Sequence, residues 1–176
     1  MPGRGAWVRV LSLAAAAGAT GCTPTHDWRE VRPDGSALVS MFPCRPQHHA
    51  RTTELAGMQV PMQLHVCSSG QETWAIAVLD VAQPGQVAAA LQALRRAALA
   101  NFSATLIRTS PLQVPGMTPN PNAALDALQG VSPQGAPIQA TAAFFAKGLR
   151  VYQATVFAPQ VSPEASEMFF SGLKLQ

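Results

Sequence analysis

Residues 58–66 alternate with period two. Met58, Val60, Met62, Leu64 and Val66 share one side, with Gln59, Gln63 and His65 on the other. Successive side chains of an extended chain point to opposite faces, so this run predicts a β-strand with one buried and one watered face. Ala56-Gly57 just before it has the composition of a tight hairpin turn, with residues 51–55 as the other arm. Pro61 interrupts the alternation and has no N–H to give to a ladder, which predicts an edge or bulged strand.

The rest of the chain falls in place around that strand. Residues 28–32 and 38–44 are two extended runs separated by the turn formers Pro33-Asp34-Gly35-Ser36, and Pro43 and Pro46 end the second. Residues 74–81 are apolar on both faces, as a central strand requires. Val87, Ala90, Leu91, Leu94, Ala98 and Phe102 then recur at helical spacing, predicting a helix over 86–102 with Pro84 in its first turn and Gln83 as a poor N-cap. Residues 103–115 look extended, and the Pro- and Asn-rich run 115–122 is a loop. Residues 123–130 have the composition of a short helix, but the hairpin chemistry of Pro133-Gln134-Gly135 tilts them toward a strand. Residues 138–146 and 149–157 flank the hairpin pair Lys147-Gly148. Ser162-Pro163-Glu164 opens a C-terminal helix, with Ser as N-cap, Pro at the first position and an acid near the positive end of the dipole. Strands, a helix, more strands and a closing helix do not alternate as βαβα units. The expected class is therefore α+β, an antiparallel sheet packed with two main helices.

The N-terminus belongs to none of this. Arg4 and Arg9 precede a short apolar core, and small residues lead to Cys22 in Ala19-Thr20-Gly21-Cys22. About ten apolar residues make roughly 15 Å of helix against about 30 Å of hydrocarbon, so the segment is an export signal rather than a span. Its end resembles the lipobox of bacterial lipoprotein signals, with Ala19 where that pattern usually has Leu. The resemblance implies a signal peptide over 1–21, lipidation of Cys22, a polar tether over 22–27 and one domain over 28–176. It also implies a membrane partner through the lipid. With Thr23 rather than Asp after the Cys, the implied address is the periplasmic face of the outer membrane. Ala17-Gly18-Ala19 also fits an ordinary cleavage site, which would release a soluble periplasmic protein.

Loss of residues 1–21 leaves 155 and removes two arginines, so the net charge drops from +3 to +1. A chain of that length buries about 68–70% of its unfolded surface and folds without a metal or dense disulfides. A near-neutral mature chain gives no reason to expect nucleic acid. With Cys22 assigned to lipid, Cys44 and Cys67 are left to form a disulfide in an oxidising compartment. The alternative is a metal-handling or redox protein using Cys44, His48, His49, His65 and Cys67, although Cys-x-x-x-His-His with His-x-Cys is not a known zinc spacing. Two inert thiols are the third reading.

The domain resembles the PsbP-like or Mog-type fold. Phe42-Pro43-Cys44-Arg45-Pro46 ends an early strand, residues 74–81 lead into a helix, and Gly148-Leu149-Arg150-Val151-Tyr152-Gln153 precedes a helix ending Phe169-Phe170-Ser171-Gly172-Leu173. The resemblance implies an antiparallel sheet between helices and a protein that binds or assembles others. It carries over no catalytic residue.

No catalytic grouping stands out in the sequence. There is no Gly-x-Ser-x-Gly, no Gly-rich phosphate loop after a strand, and no suggestive carboxylate pair among nine acids. His48-His49 reads as solvated loop, Asp80 as a turn or cap residue, and Trp28-Arg29-Glu30 as an edge strand or docking patch. Phe144-Phe145 and Phe169-Phe170 each place rings on both sides of an element, so one ring is either exposed for binding or covered by a neighbour. The expectation is a non-catalytic binding or scaffolding protein of the cell envelope with an envelope protein as partner, no cofactor, and no enzymatic activity.

Overall fold

The computed structural model describes residues 26–132 and 134–176. The expected signal peptide over 1–21, Cys22 and most of the expected tether, like Pro133, lie outside the described residues. The strands are β1 (Arg29–Val31), β2 (Leu38–Phe42), β3 (Gln47–Leu55), β4 (Met58–Ser69), β5 (Glu72–Asp80), β6 (Thr105–Ser110), β7 (Ala124–Val131), β8 (Pro137–Lys147), β9 (Arg150–Ala158) and β10 (Lys174–Leu175). The helices are α1 (Val87–Asn101), entered through a 3-10 turn at Pro84–Gln86, and α2 (Pro163–Ser171). A seven-stranded sheet has the order β3-β4-β5-β9-β8-β7-β6, and a three-stranded one the order β1-β2-β10. Every pairing is antiparallel, so the expected α+β class holds.

The central strands of the large sheet are buried on both faces, each by a different layer. On one face α1 lays Ala90, Leu91, Leu94 and Ala98 against Val60, Leu79, Leu128, Phe144 and Val151. On the other, the small sheet and α2 bring Leu38, Phe42, Phe169 and Leu173 onto Cys67, Trp74, Ile76, Phe145 and Tyr152. Neighbouring positions along a central strand therefore serve separate cores, which is why β5 and β8 have no polar face. Phe144 and Phe145 are both fully buried, one ring in each core. Phe169 is buried and Phe170 is partly covered.

Several local expectations change. Residues 123–130 are indeed a strand, β7, with Asp126 and Leu128 buried on the α1 side. β3 begins at Gln47, four residues earlier than the hairpin pattern implied, so His48 and His49 are strand residues and not loop. β4 is the second strand from the edge. Pro61 pairs with Thr52 of β3 but lies beyond the last β5 pair, Met62↔Leu79, so one flank has no ladder to interrupt. The alternation in β4 also changes its meaning along the strand. Val60 is buried under α1, but further on His65 and Cys67 are the buried members while Leu64 and Val66 are half-buried. Two covered faces explain this: once both sides have a layer, period two no longer identifies the inside.

Helix starts follow their capping chemistry. Gln83 gives no side-chain cap, and the Gln86 Oε1 instead accepts from the Ala82 and Gln83 N–H groups, both at 3.0 Å. At α2 the Ser162 hydroxyl accepts from the Ala165 N–H at 3.2 Å, with Pro163 in the first turn, as the sequence predicts. Among the described residues no helix is long and apolar enough to cross a membrane.

Candidate functional site: a proline-lined groove and two ends of one sheet

The 13 residues between β6 and β7 form no strand or helix yet are well tied down. Loops of that length without secondary structure are uncommon in compact domains and are often functional. Met117 N–H reaches Val114 O at 3.0 Å, Thr118 N–H reaches Ala146 O at 2.8 Å, Leu175 N–H reaches Pro115 O at 2.7 Å, and Gly148 N–H reaches the Thr118 hydroxyl at 3.0 Å. Gly116 has φ +80°, and a Cβ there would stand 2.0 Å from the Leu175 carbonyl oxygen, so only glycine allows this approach. The loop is therefore a preformed wall.

Between that wall, the ends of β6 and β7, and α1 lies an open groove of about 990 Å³. Prolines 111, 115, 119 and 121 line it with Leu112, Val114 and Met117, and among the described residues Arg95 is the single charged one in the lining. Arg95 is already committed. Its Nε and Nη2 donate to the two carboxylate oxygens of Asp126 at 2.7 and 2.9 Å, and Thr109 donates to the same carboxylate at 2.8 Å. Asp126 is 3% exposed, so this bidentate pair is the reason that a carboxylate is tolerated under α1. Prolines and apolar side chains predominate among the described residues of the lining, which suits it to contacts with apolar and proline-rich surface.

Beside the groove, β6 is a free edge of the large sheet, bulged between Leu106 and Arg108. Leu106 and Ile107 are 41% and 60% exposed. The bulge and the arginine are two of the usual protections of such an edge. The opposite edge, β3, is mostly exposed and polar.

The sequence-predicted residues gather elsewhere. Cys44 and Cys67 form a disulfide with Cα atoms 6.1 Å apart. Cys67 lies within β4 rather than at its end, directly opposite Trp74 of β5. Both sulfurs being oxidised, neither is available as a thiolate ligand. His48 stands opposite His65 in the β3–β4 register with rings 4.7 Å apart, whereas the adjacent His49 alternates to the other face. Among the described residues no group of three or more His, Cys, Asp or Glu could hold a metal ion, so the five residues of the metal reading are not assembled into a site. Burial pushes the His65 pKa below its ordinary value. The neighbouring His48 adds to this and Asp34 opposes it. His65 Nε2, Gln63 Oε1 and Trp74 Nε1 are buried without a hydrogen-bond partner among the described residues.

Asp80 is neither cap nor turn. It closes β5 opposite Arg150 of β9, whose Nε donates to it at 2.5 Å, and this bond raises the Arg150 pKa. The docking-patch residues divide. Trp28 packs edge-on against Trp74 with ring centroids 6.0 Å apart, while Arg29 and Glu30 lie in edge strand β1, Arg29 being paired with Asp27.

Sequence reasoning missed one hub. His26 Nε2 lies 3.0 Å from Glu72 Oε2, and Glu72 Oε1 accepts the Ser162 N–H at 2.7 Å. A single buried carboxylate thus joins the start of the domain to the start of α2. The groove and the Arg95–Asp126 pair were missed too. Four prolines in eleven residues were the only available signal, and they were legible as a loop but not as a wall. No protein-family model matches this chain, and no curated protein matches it.

Proposed function

We propose that this chain is a lipid-anchored protein of the bacterial cell envelope, attached through Cys22 to the periplasmic face of the outer membrane. Its domain, residues 28–176, acts as a binding or scaffolding module and not as an enzyme. The groove is the observation that carries the second half of this reading. It is preformed, lined by prolines and apolar side chains, and its one charge is neutralised from within by Asp126. Such a lining favours an extended, proline-containing or apolar segment of an envelope protein. The Cys44–Cys67 bridge supports export to an oxidising compartment. An antiparallel sheet with a helix against each face supports the PsbP-like layout.

The test is recovery of a partner from solubilised envelopes with three forms of the full chain. Wild type incorporates labelled fatty acid and retains the partner. Cys22→Ser loses the label and leaves the membrane fraction, and equal partner recovery from it would remove the reason for anchoring. Gln113→Arg places a bulky charge on the exposed rim of the groove and lowers recovery, while undiminished recovery would take the groove out of the reading.

A further inference from the structure

The large sheet has two ends, and the described chain starts at one of them. At the near end lie the turn 69–71, residues 132 and 134–136, the segment 159–161 and the pair His26–Glu72, because Ser69↔Glu72, Gln139↔Ala158 and Val131↔Pro137 are the terminal pairs there. At the far end lie Asp80↔Arg150, Ala124↔Phe144 and Ser110↔Leu125, and with them the groove loop. The nine residues of β5 run from one end to the other, about 30 Å at strand rise.

We infer that the near end is a membrane-apposed face, held against phospholipid headgroups by the short link from Cys22 to His26, and that the groove consequently points away from the bilayer. This rests on the lipid anchor proposed above. Four Cα–Cα steps separate Cys22 from His26 and span at most about 14 Å. His26 is no loose point: its ring is bonded to Glu72 and lies against Trp28 and Trp74, and the next residue donates its N–H to Pro43 O at 2.9 Å. A domain of this size is about 40 Å across, so an anchor with that reach holds the near end at the surface in every orientation, and the far end stands off it in all but those in which the sheet lies flat.

The composition of the near end agrees. The segments 69–71, 132–136 and 159–161 contain no charged residue, and exposed Arg45 follows the disulfide at Cys44. The acids nearby are Asp27, paired with Arg29, buried Glu72, and Glu164 in the first turn of α2. Such a surface approaches anionic headgroups with little repulsion. The far-end turns 56–57 and 111–123 contain no charged residue either, so it is the point where the described chain enters, and not charge, that sets the near end apart.

Two single-site labels on the full, lipidated chain test the orientation in vesicles of phosphatidylethanolamine and phosphatidylglycerol carrying a headgroup nitroxide. Gln71→Cys marks the near end and Ala82→Cys the far end, both at exposed positions. The label at residue 71 should be quenched several-fold more than that at 82. Inserting twenty Gly/Ser residues between Thr25 and His26 should bring the two toward equality, since such a linker has an r.m.s. span of about 25 Å. Equal quenching in the unmodified chain, with fatty acid present on Cys22, would overturn the orientation and leave the anchor standing. Shielding of residue 71 from an aqueous quencher without headgroup quenching would mean that a protein covers this end, and would also overturn it. Absence of fatty acid on Cys22 would overturn orientation and anchor together.

Discussion

Removing the guanidinium of Arg95 is the sharpest test of how the groove end of the sheet is held. Asp126 is nearly inaccessible, and its carboxylate receives two N–H bonds from Arg95 and one O–H bond from Thr109. Breaking a buried ion pair by deleting one partner costs about 3–5 kcal/mol, because a desolvated charge is left behind. Two features lower that figure. The Arg95 side chain is 27% exposed, so water re-enters where it stood, and Thr109 still donates its bond. Arg95→Ala should therefore destabilise the domain by about 2–3 kcal/mol. With a urea m-value of about 2 kcal/mol/M for a chain of this size, the midpoint falls by about 1–1.5 M at unchanged m. Replacing both partners, Arg95→Met with Asp126→Leu, removes the stranded charge and should lie within about 1 kcal/mol of wild type. The measurement is urea unfolding followed by far-ultraviolet circular dichroism. A loss below about 1 kcal/mol for Arg95→Ala alone would place the pair with ordinary solvated surface pairs and refute the argument that α1 seals Asp126 from water.

Three further outcomes follow from the same structure. The Cys44–Cys67 bridge closes a loop of 23 residues' separation, so the double variant Cys44→Ala, Cys67→Ala should lose about 3 kcal/mol, read as a lower thermal midpoint that no longer responds to reductant. Burial holds the folded-state pKa of His65 below its ordinary value of about 6.5, so the unfolded chain binds the proton more readily; stability is complete above that value and declines as pH falls through it toward the folded pKa. His65→Gln should flatten this acid-side slope in chemical denaturation between pH 7 and pH 5, and an unchanged slope would assign it to other groups. Gly116→Ala puts a methyl group into the Leu175 carbonyl at a positive φ, and should release the loop from β10, seen as faster amide exchange at Leu175.

The sequence was most readable where one local signal had one cause. The Ser162-Pro163-Glu164 start of α2 depends only on capping chemistry, and it stands in the structure with the expected bond. α1 has apolar residues at helical spacing because it buries one side only, so its stripe maps onto one core. The disulfide was legible from the expected compartment and the cysteine count, without any knowledge of strand order. β4 marks where this kind of reading fails. Its alternation is real, but the inside changes from Val60 to His65 and Cys67 because α1 covers one part and the small sheet with α2 covers the other. No window of residues along β4 contains that information.

The candidate site was least legible for the same reason. Arg95 and Asp126 are 31 positions apart, and Glu72 is 46 positions from His26 and 90 from Ser162. Each is an unremarkable charged or polar residue in its own segment and becomes specific only when antiparallel pairing sets the ends of distant strands side by side. That pairing also gives the molecule its polarity. A hairpin-connected sheet returns every other turn to the same end, so the turns divide into two sets without any local instruction to do so. In this chain one set stands beside His26, where the described residues begin, and the other includes the proline wall. A domain tied to a surface at one end keeps its other end free to meet a partner, so the reading of the groove and the reading of the anchor constrain each other. A partner that binds the turns 69–71 or 132–136 instead of the groove would contradict both orientation and binding surface, whatever its identity.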